Sequence, residues 1–476
     1  MEANQRPIRF GILGPGRISR KFAAGLTAAP GVVLTAVASR DRVRAEAFAA
    51  EFSVPHIYDD YAALLAADKC DLVYIGVVNT RHFKLARQAL LSGKGVLLEK
   101  PFTLTAYETG LLSRLSRERG VFLMEAMWTR FHPVSRQVLA WCAEGKIGAI
   151  RRVVASFGYF GGFDERERHL SEVVGGGSLV DVGIYPLAYA SMLLGRPDQM
   201  RACALQTEAG VDRQIEVAAT YGQATAALAA SVTNQLGNDA YIYGETGFIE
   251  VPVFYNPTRA ILWRYGSDQG AEPFVETTFE HAEPANGYEY EALAAADMVR
   301  QGRLEHPWLT HDESLSLMAQ MDDCRAQIGL VYPAERGVVV NGDSFAAWPG
   351  IAAFIGDVLA AGMKFAVAAS GEFEDVTAAL AALGFSEADF DAVLTRRDAV
   401  RKKPDPELYL KTAEAVGLPP AGCIAVEDSL IGVLAAKAAG FETIGLATAE
   451  TADALLDAGA DRVAGGLDEL RALLGL

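Results

Sequence analysis

The feature that most constrains this chain is a strand that runs into glycine and then into a helix, an alternation that recurs several times. Residues Ile8 to Leu13 form an apolar run, Gly14-Pro15-Gly16 breaks it, and a helical pattern covers Ile18 to Ala28. The spacing predicts a second strand over Val32–Ser39 and a helix over Asp41–Glu51. Further strands are predicted over His56–Tyr58, Asp71–Val77 and Val96–Glu99, with a helix at His82–Ser92. Val121–Glu125 reads as one more strand. Strands separated by helices of this length must cross over and lie parallel, so this part reads as a doubly wound sheet.

The grammar changes twice. From Arg151 to Phe160, and again over Met200–Gln206, Gln214–Tyr221, Ala224–Thr233, Ala240–Val251 and Ala260–Tyr265, several segments alternate apolar and polar residues. That pattern predicts a largely antiparallel open sheet, followed by helices over Glu289–Gln301 and His311–Ile328. Past Pro333 a new strand–helix series begins: strands at Gly337–Asn341, Phe365–Ala369, Ala392–Thr395, Cys423–Glu427 and Thr443–Leu446, with helices between them. The expected class is α/β, and a length of 476 residues suits two or three domains. The expected division is 1–130, a nucleotide-binding domain; 131–332, an α+β substrate and dimerisation domain; and 337–476, a second parallel α/β core.

Composition narrows the functions open to such a chain. With 51% apolar and 22% charged residues it is not disordered. A net charge of −17, from 60 acidic and 43 basic residues, argues against a broad nucleic-acid-binding face. Five scattered cysteines without CxxC argue against a disulfide framework or a zinc site. Met1 to Pro7 is a polar lead-in without a signal-peptide pattern, and no apolar run is expected to reach the ~18 residues a membrane helix needs. A cytoplasmic protein without nucleic-acid or membrane partners is expected.

At the first strand–helix turn, Gly11, Gly14 and Gly16 are followed by Arg17, Ile18 and Ser19. Glycines there allow a tight turn and close approach of a pyrophosphate, and the helix start offers free N–H groups to that anion. The second strand ends in Ser39-Arg40, where an NAD site usually places an acidic residue. A hydroxyl plus a guanidinium suits a 2′-phosphate instead, so the expected cofactor is NADP. Arg40 as a solvated surface residue is the plain alternative.

The strand Val96–Glu99 runs into Lys100-Pro101, which places charged groups at the carboxyl end of a parallel strand, in the ligand crevice. Together with Gly11–Ser19, Val77–His82, Gly93–Pro101, Met124–Pro133 and Gly175–Pro186, this tetrad resembles the Gfo/Idh/MocA oxidoreductase family over about residues 7–332. Within it the chain is most similar to the dimeric dihydrodiol dehydrogenases and the NADP-dependent D-xylose dehydrogenases. The resemblance implies a Rossmann domain in which Asn79, His82 and Glu99 join the glycines at the cofactor. Lys100 would lie beside the nicotinamide and the reacting hydroxyl, Tyr185 would be the general acid/base, and Asp181 would orient substrate or base. The chemistry agrees: a free tyrosine titrates near 10, and a close lysine ammonium would lower it. Trp128, Phe131, Phe157, Tyr159 and Phe160 are candidate walls for a sugar or cyclic diol; Trp128 is preferred, and the other four are equally suited to core packing. No metal-ligand spacing is present, and His132 and His169 read as structural. The aromatic Tyr241, Tyr243 and Phe248 on the open sheet, together with the resemblance, point to a homodimer.

Residues from about 337 resemble the haloacid-dehalogenase superfamily, of the β-phosphoglucomutase-like kind. The match lies in Lys403-Pro404-Asp405-Pro406 and Val426-Glu427-Asp428-Ser429. The resemblance implies that Lys403 would neutralise a phosphoryl group and that Glu427 and Asp428 would help hold magnesium. The Asp-x-Asp nucleophile is replaced by Asn341-Gly342-Asp343, no helical cap follows, and Ala369 stands where a serine or threonine is expected. An inert appendage follows from these departures. The alternatives are a bifunctional enzyme with a phosphatase or phosphomutase half, a non-catalytic dinucleotide-binding scaffold, and a fusion of two genes.

Overall fold

Strand β1 (Ile8–Leu13) sits near the middle of a six-stranded sheet, and its residues are almost wholly buried. It runs through α1 (Arg17–Leu26) to β2 (Val32–Ala38), then α2 (Arg42–Phe52), β3 (His56–Tyr58), α3 (Tyr61–Ala66) and β4 (Leu72–Ile75). The series continues with α4 (His82–Leu91), β5 (Gly95–Glu99), α5 (Ala106–Arg119) and β6 (Leu123–Ala126). The sheet order is β3-β2-β1-β4-β5-β6, and every pairing is parallel. The order reverses direction at β1/β4, so a crevice opens beyond the carboxyl ends of those two strands. The structure is a computed structural model that describes residues 6–164, 167–267, 271–447 and 451–476. Met1 to Gln5 of the polar lead-in lie outside these.

Helix α6 (Pro133–Ala143) leads into β7 (Ile150–Gly158), and α7 (Ile184–Leu194) precedes β8 (Gln199–Gln206), β9 (Asp212–Tyr221) and β10 (Ala224–Ser231). Then come β11 (Ala240–Gly244), β12 (Gly247–Val251), β13 (Arg259–Arg264), β14 (Phe274–Glu280), α8 (Tyr288–Arg300) and α9 (His311–Ile328). The eight strands are ordered β14-β13-β12-β11-β7-β10-β9-β8. The expected antiparallel sheet is in fact mixed, because β10 runs parallel to β7 while the other pairs are antiparallel. The single strand expected over Ala240–Val251 is a hairpin that folds back at Glu245-Thr246. A Cβ at Gly247 would sit 2.1 Å from the Trp263 carbonyl, so only glycine lets the chain pass there. Strand β14, exposed along nearly its whole length, had no apolar run to announce it.

One expectation about apolar runs is corrected. Glu172–Leu194, 23 residues with mean hydropathy 1.3, is long and apolar enough by length and composition to cross a membrane. In the fold it is largely a core element, 72% buried in its most apolar window, and α7 packs on β7 and β10. Burial against the sheet explains the hydropathy, because a helix apolar all round must be covered on most of its sides.

The chain divides into two compact units, residues 1–330 and 331–476. The second is built from β15 (Gly337–Asn341), α10 (Ile351–Ala360), β16 (Lys364–Ala368), α11 (Phe373–Ala382), β17 (Ala392–Leu394) and α12 (Glu407–Val416). It continues with β18 (Cys423–Glu427), α13 (Leu430–Ala438), β19 (Glu442–Leu446), α14 (Ala452–Asp457), β20 (Arg462–Ala464) and α15 (Leu467–Leu474). Its six strands are all parallel, ordered β17-β16-β15-β18-β19-β20. One side of the sheet buries Val338, Val340, Phe354, Ile355 and Phe365; the other buries Val339, Tyr409, Ala435 and Phe441. Between β15 and α10 there is only a short turn of helix, Phe345–Ala347, and no cap domain.

Candidate active site

The turn after β1 is shaped for an anion. Gly14 has φ +84°, and a Cβ there would lie 2.6 Å from Val77 Cγ1, so the chain needs glycine for its own folding. Gly16 differs: the nearest described atom to its missing Cβ is the Gly76 carbonyl oxygen at 3.7 Å, so no clash requires glycine there. Gly16 is also the N-cap of α1, and no side chain caps that helix. The first-turn N–H groups of Arg17 and Ile18 therefore have no side-chain cap, and the positive end of the helix lies behind them. Ser19 is buried beneath, its hydroxyl donating to the Gly14 carbonyl at 2.6 Å, and Gly11 packs against Cys70. This arrangement fits a dinucleotide pyrophosphate.

At the end of β2 the buried Ser39 hydroxyl accepts the Asp41 N–H at 3.1 Å. Asp41 caps α2 by accepting the Arg44 N–H at 3.0 Å, so its carboxylate is spent on the helix. Arg40 is exposed and hydrogen-bonds the Tyr61 hydroxyl. A hydroxyl and a guanidinium thus stand together at the strand end. Asn79 and His82 are placed differently. Asn79 donates its amide to the Gly175 carbonyl at 2.7 Å. His82 is fully buried with Nδ1 2.8 Å from the Pro101 carbonyl and Nε2 3.3 Å from that of Val77. Burial pushes its pKa down to about 4. Both ring nitrogens are occupied by main chain, so His82 holds the turn after β5 and does not reach into the crevice.

The chemistry-bearing side chains meet beyond β5. Lys100 donates from Nζ to the main-chain carbonyl of Asp181 at 2.5 Å and lies 3.9 Å from its Oδ1. Asp181 belongs to a π-helical turn, Leu179–Gly183, directly before α7. Such turns mark sites where a helix re-aims a side chain. Its Oδ2 accepts the Tyr159 hydroxyl at 2.6 Å, and Arg168 approaches Oδ1 at 3.5 Å. Burial alone would raise the Asp181 pKa, but Lys100, Arg168 and the Tyr159 hydroxyl outweigh it and hold the carboxyl below its ordinary value. One turn later, Tyr185 accepts the Trp128 indole N–H at 3.0 Å, and the Lys100 ammonium sits 4.9 Å from its ring centroid.

The expected lowering of Tyr185 by lysine is not what this geometry gives. Burial, followed by the charge of Glu99, pushes the phenol well above 10, against which only the Trp128 hydrogen bond acts in the other direction. The ammonium lies over the ring face and is spent on Asp181, so it does not reach the hydroxyl. Glu99 is itself buried; burial raises its pKa, and it accepts the Tyr74 hydroxyl at 2.5 Å and the Lys100 N–H at 3.0 Å.

Of the expected walls, Trp128, Phe157 and Tyr159 all meet this centre. Phe157 lies 5.3 Å from the Tyr185 ring. Phe131 instead packs on His306 and Trp308, and Phe160 is exposed beside Phe163. The fold adds residues that no motif announced. Tyr255 stacks on Phe157 at 3.9 Å and stands edge-on to Tyr185; Tyr288 stacks on Trp128 at 4.2 Å. Glu291 on α8 is fully buried with neither carboxyl oxygen hydrogen-bonded.

In the second unit the degenerate residues also gather. Lys403 Nζ lies 2.8 Å from Glu427 Oε1 and 3.2 Å from Asn341 Oδ1, with the side chains of the ion pair essentially unexposed. The Tyr409 hydroxyl also donates to Glu427. Asn341 donates to Asp428 at 3.0 Å, and the Trp348 indole reaches Asp428 at 3.4 Å. Asp343 accepts the N–H groups of Ser370 and Gly371. The lysine is thus neutralised from within. Among the described residues no group of three or more His, Cys, Asp or Glu side chains is arranged to hold a metal ion.

Comparison with known proteins finds two families along the chain. Residues 8–127 match the oxidoreductase family with an NAD-binding Rossmann fold, GFO/IDH/MocA, and residues 135–250 match that family's C-terminal domain. Residues 265–440 match the haloacid dehalogenase-like hydrolases, a match that starts before the second unit does. The trans-1,2-dihydrobenzene-1,2-diol dehydrogenase of Danio rerio is 31% identical over 341 residues, covering 68% of this chain and 98% of that protein. The human enzyme of the same name is 31% identical over 336 residues, covering 69% and 99%. Among solved structures, the 3-ketoreductase KijD10 of Actinomadura kijaniata, in complex with NADP and TDP-benzene, matches with TM-score 0.59. It is 31% identical, and the match covers 68% of this chain and 98% of that one. The chain belongs to the Gfo/Idh/MocA oxidoreductase family, and it carries in addition a haloacid-dehalogenase-like segment.

Proposed function

We propose that this protein is an NADP-dependent oxidoreductase that interconverts a hydroxyl and a carbonyl on a sugar, cyclic polyol or trans-dihydrodiol. Residues 1–130 bind NADP, 131–332 supply the substrate pocket and a dimer face, and 337–476 form a haloacid-dehalogenase-like domain without phosphatase activity. The carrying observation is the meeting of Lys100, Asp181, Tyr185 and Trp128 beyond β5, on the same edge as the uncapped start of α1. Relatives acting on dihydrodiols and a neighbour solved with NADP support the same chemistry.

Bound NADP supplies the hydride acceptor or donor. Gly11, Gly14, Gly16, Arg17 and Ile18 would hold its pyrophosphate, Ser39 and Arg40 its 2′-phosphate. Glu99 and Lys100 would stand beside its nicotinamide end, with Asn79 near it and His82 holding the main chain behind. Because the Tyr185 oxygen accepts the Trp128 N–H, its own proton is directed elsewhere and is free for a substrate oxygen. A phenol held well above 10 carries that proton at neutral pH and is suited to proton donation during carbonyl reduction. In the oxidising direction the phenol must first give its proton to solvent; the phenolate, over whose ring the Lys100 ammonium lies, then takes the substrate's hydroxyl proton as the hydride leaves. Asp181 fixes Lys100 through its carbonyl and carboxylate. Trp128, Phe157 and Tyr159 wall the ring of the substrate.

The protein acts in the cytoplasm as a homodimer, with Tyr241, Tyr243, Phe248 and Trp263 forming a continuous aromatic patch on the sheet. The test is incubation with NADP⁺ and a panel of pentoses, hexoses and cyclic diols, followed by NADPH absorbance. Reduction of NADP⁺ by none of them, with no NADPH oxidation by the corresponding ketones, overturns the reading. The bifunctional alternative is disfavoured by Asn341, since an amide supplies no phosphoryl nucleophile.

A further inference from the structure

Among the described residues, two cations and one carboxylate meet beside Tyr185. The Lys100 and Asp181 side chains are 12% and 20% exposed, whereas Arg168 is 52% exposed. Asp181 is already committed on both oxygens, to Tyr159 through Oδ2 and to Arg168 and Lys100 through Oδ1. One carboxylate balances one cation, and Glu99, buried and turned onto Tyr74 but facing the same two cations, offsets part of the rest. Arg17, exposed at the start of α1, adds a further positive charge that is felt by Tyr159 and Tyr288. This cluster is therefore cationic in a chain whose net charge is −17.

Arg168 is also held in place. It opens the short helical turn Arg168–Leu170, and a Cβ at Gly176 would lie 2.8 Å from its carbonyl oxygen. Gly176 and Gly177 donate their N–H groups to the carbonyls of Ser171 and His169 at 2.8 and 2.9 Å. Asn79 ties the same strap down through the Gly175 carbonyl at 2.7 Å. A main chain fixed this way presents a half-exposed guanidinium beside Asp181.

We propose that Arg168 is a substrate-specificity residue, and that the ring turned over at Tyr185 carries an anionic substituent, a carboxylate or phosphate, that Arg168 binds. This rests on the reading of the site as an NADP-dependent sugar or polyol oxidoreductase. A guanidinium takes either group through paired N–H donors, and a surplus of positive charge in a cleft draws the anion in.

The test compares D-glucose, D-glucuronate and D-glucose 6-phosphate as probes. Each is titrated calorimetrically into the protein saturated with NADP⁺, and turnover is followed separately by absorbance. At least tenfold tighter binding of one anionic ring over glucose is expected; which one distinguishes a carboxylate from a phosphate subsite. Arg168→Gln should shrink that ratio below about threefold, while Arg168→Lys keeps most of it, and salt should erode it. Equal binding of neutral and anionic rings, or a ratio that survives in Arg168→Gln, overturns the proposal and leaves Arg168 only a role in fixing Asp181. An Arg168-dependent preference without hydride transfer on any ring supports the anion subsite and overturns the dehydrogenase reading beneath it.

Discussion

Trp128 donates its indole N–H to the phenolic oxygen of Tyr185 at 3.0 Å, and both side chains are buried. This bond acts against burial and the charge of Glu99, which together push the phenol up. Trp128→Phe keeps an aromatic plane against Tyr288 and removes the donor. A neutral hydrogen bond contributes on the order of 1 kcal/mol, so turnover in the oxidising direction should fall roughly five- to tenfold. The pH optimum for oxidation should move upward. Steady-state rates across pH check both; an unchanged optimum would show that the indole does not act on the phenol.

Tyr185→Phe removes the proton itself. Loss of a general acid/base costs about 10²–10⁴-fold in turnover, and NADP affinity should hardly change. Lys100→Met should be at least as damaging, since it also frees Asp181. In wild type the phenol stays protonated below a pKa well above 10, so carbonyl reduction should not fall through loss of this proton between pH 6 and about 9. A reduction rate that collapses near pH 7 in wild type and in Tyr185→Phe alike would assign the proton elsewhere.

Cofactor choice tests the end of β2. With the Asp41 carboxylate turned onto the start of α2 and Arg44, and Ser39 and Arg40 at the strand end, NADP⁺ should be preferred over NAD⁺. Hydrogen bonds to charged groups contribute about 1.5–3 kcal/mol, so Arg40→Ala should cut the ratio of kcat/KM values by roughly 10–100-fold. Equal efficiency of the intact protein with NAD⁺ would sink this assignment.

Much of this was legible in order along the chain, because local signals carried it. Gly14 and Gly16 announce the turn, the strand before Lys100 announces the crevice, and His311–Ile328 is read to the residue. What escaped depends on distance in sequence. Tyr288 and Tyr255 join the centre from more than 60 residues beyond Tyr185, and nothing in their neighbourhoods distinguishes them from core aromatics. The electrostatics of Tyr185 escaped for a similar reason. Sequence places a lysine and a tyrosine in one site, but only the fold shows the ammonium over the ring and turned to Asp181. The parallel β7/β10 pair is invisible to alternation, which reports which face is buried and says nothing of strand direction.

His82 offers a stability test. Its folded pKa of about 4 lies below the ordinary 6.5. The unfolded chain therefore binds the extra proton first as pH falls, so the contribution is fully present above 6.5 and is lost between 6.5 and about 4. The gap corresponds to about 3 kcal/mol across that window. Urea midpoints measured from pH 7.5 to 4.5 should fall more steeply in wild type than in His82→Gln. Parallel curves would show that the imidazole is not held neutral.

The second unit should not hydrolyse phosphate esters, and restoring the missing carboxylate should not make it do so. Asn341 Oδ1 accepts from Lys403, and its amide donates to Asp428 at 3.0 Å. In Asn341→Asp that amide becomes a second carboxylate facing Asp428, and like charges at hydrogen-bond distance are destabilising without a cation between them. Lys403 is meanwhile paired with Glu427 at 2.8 Å and cannot be released to a phosphoryl group without leaving a buried carboxylate alone. Removing one partner of such a pair costs about 3–5 kcal/mol, so Lys403→Met should unfold this unit at distinctly lower urea than wild type. Conversion of Asn341 by deamidation is also hindered: Gly342 donates its N–H to the Ala368 carbonyl at 3.2 Å, and the Asn341 side chain is held on both ends. Fresh and aged protein alike should release no phosphate from a panel of sugar phosphates with magnesium. Release at several turnovers per second, abolished by Lys403→Met under conditions where that variant remains folded, would mean that another carboxylate is the nucleophile and that this unit is a working phosphatase.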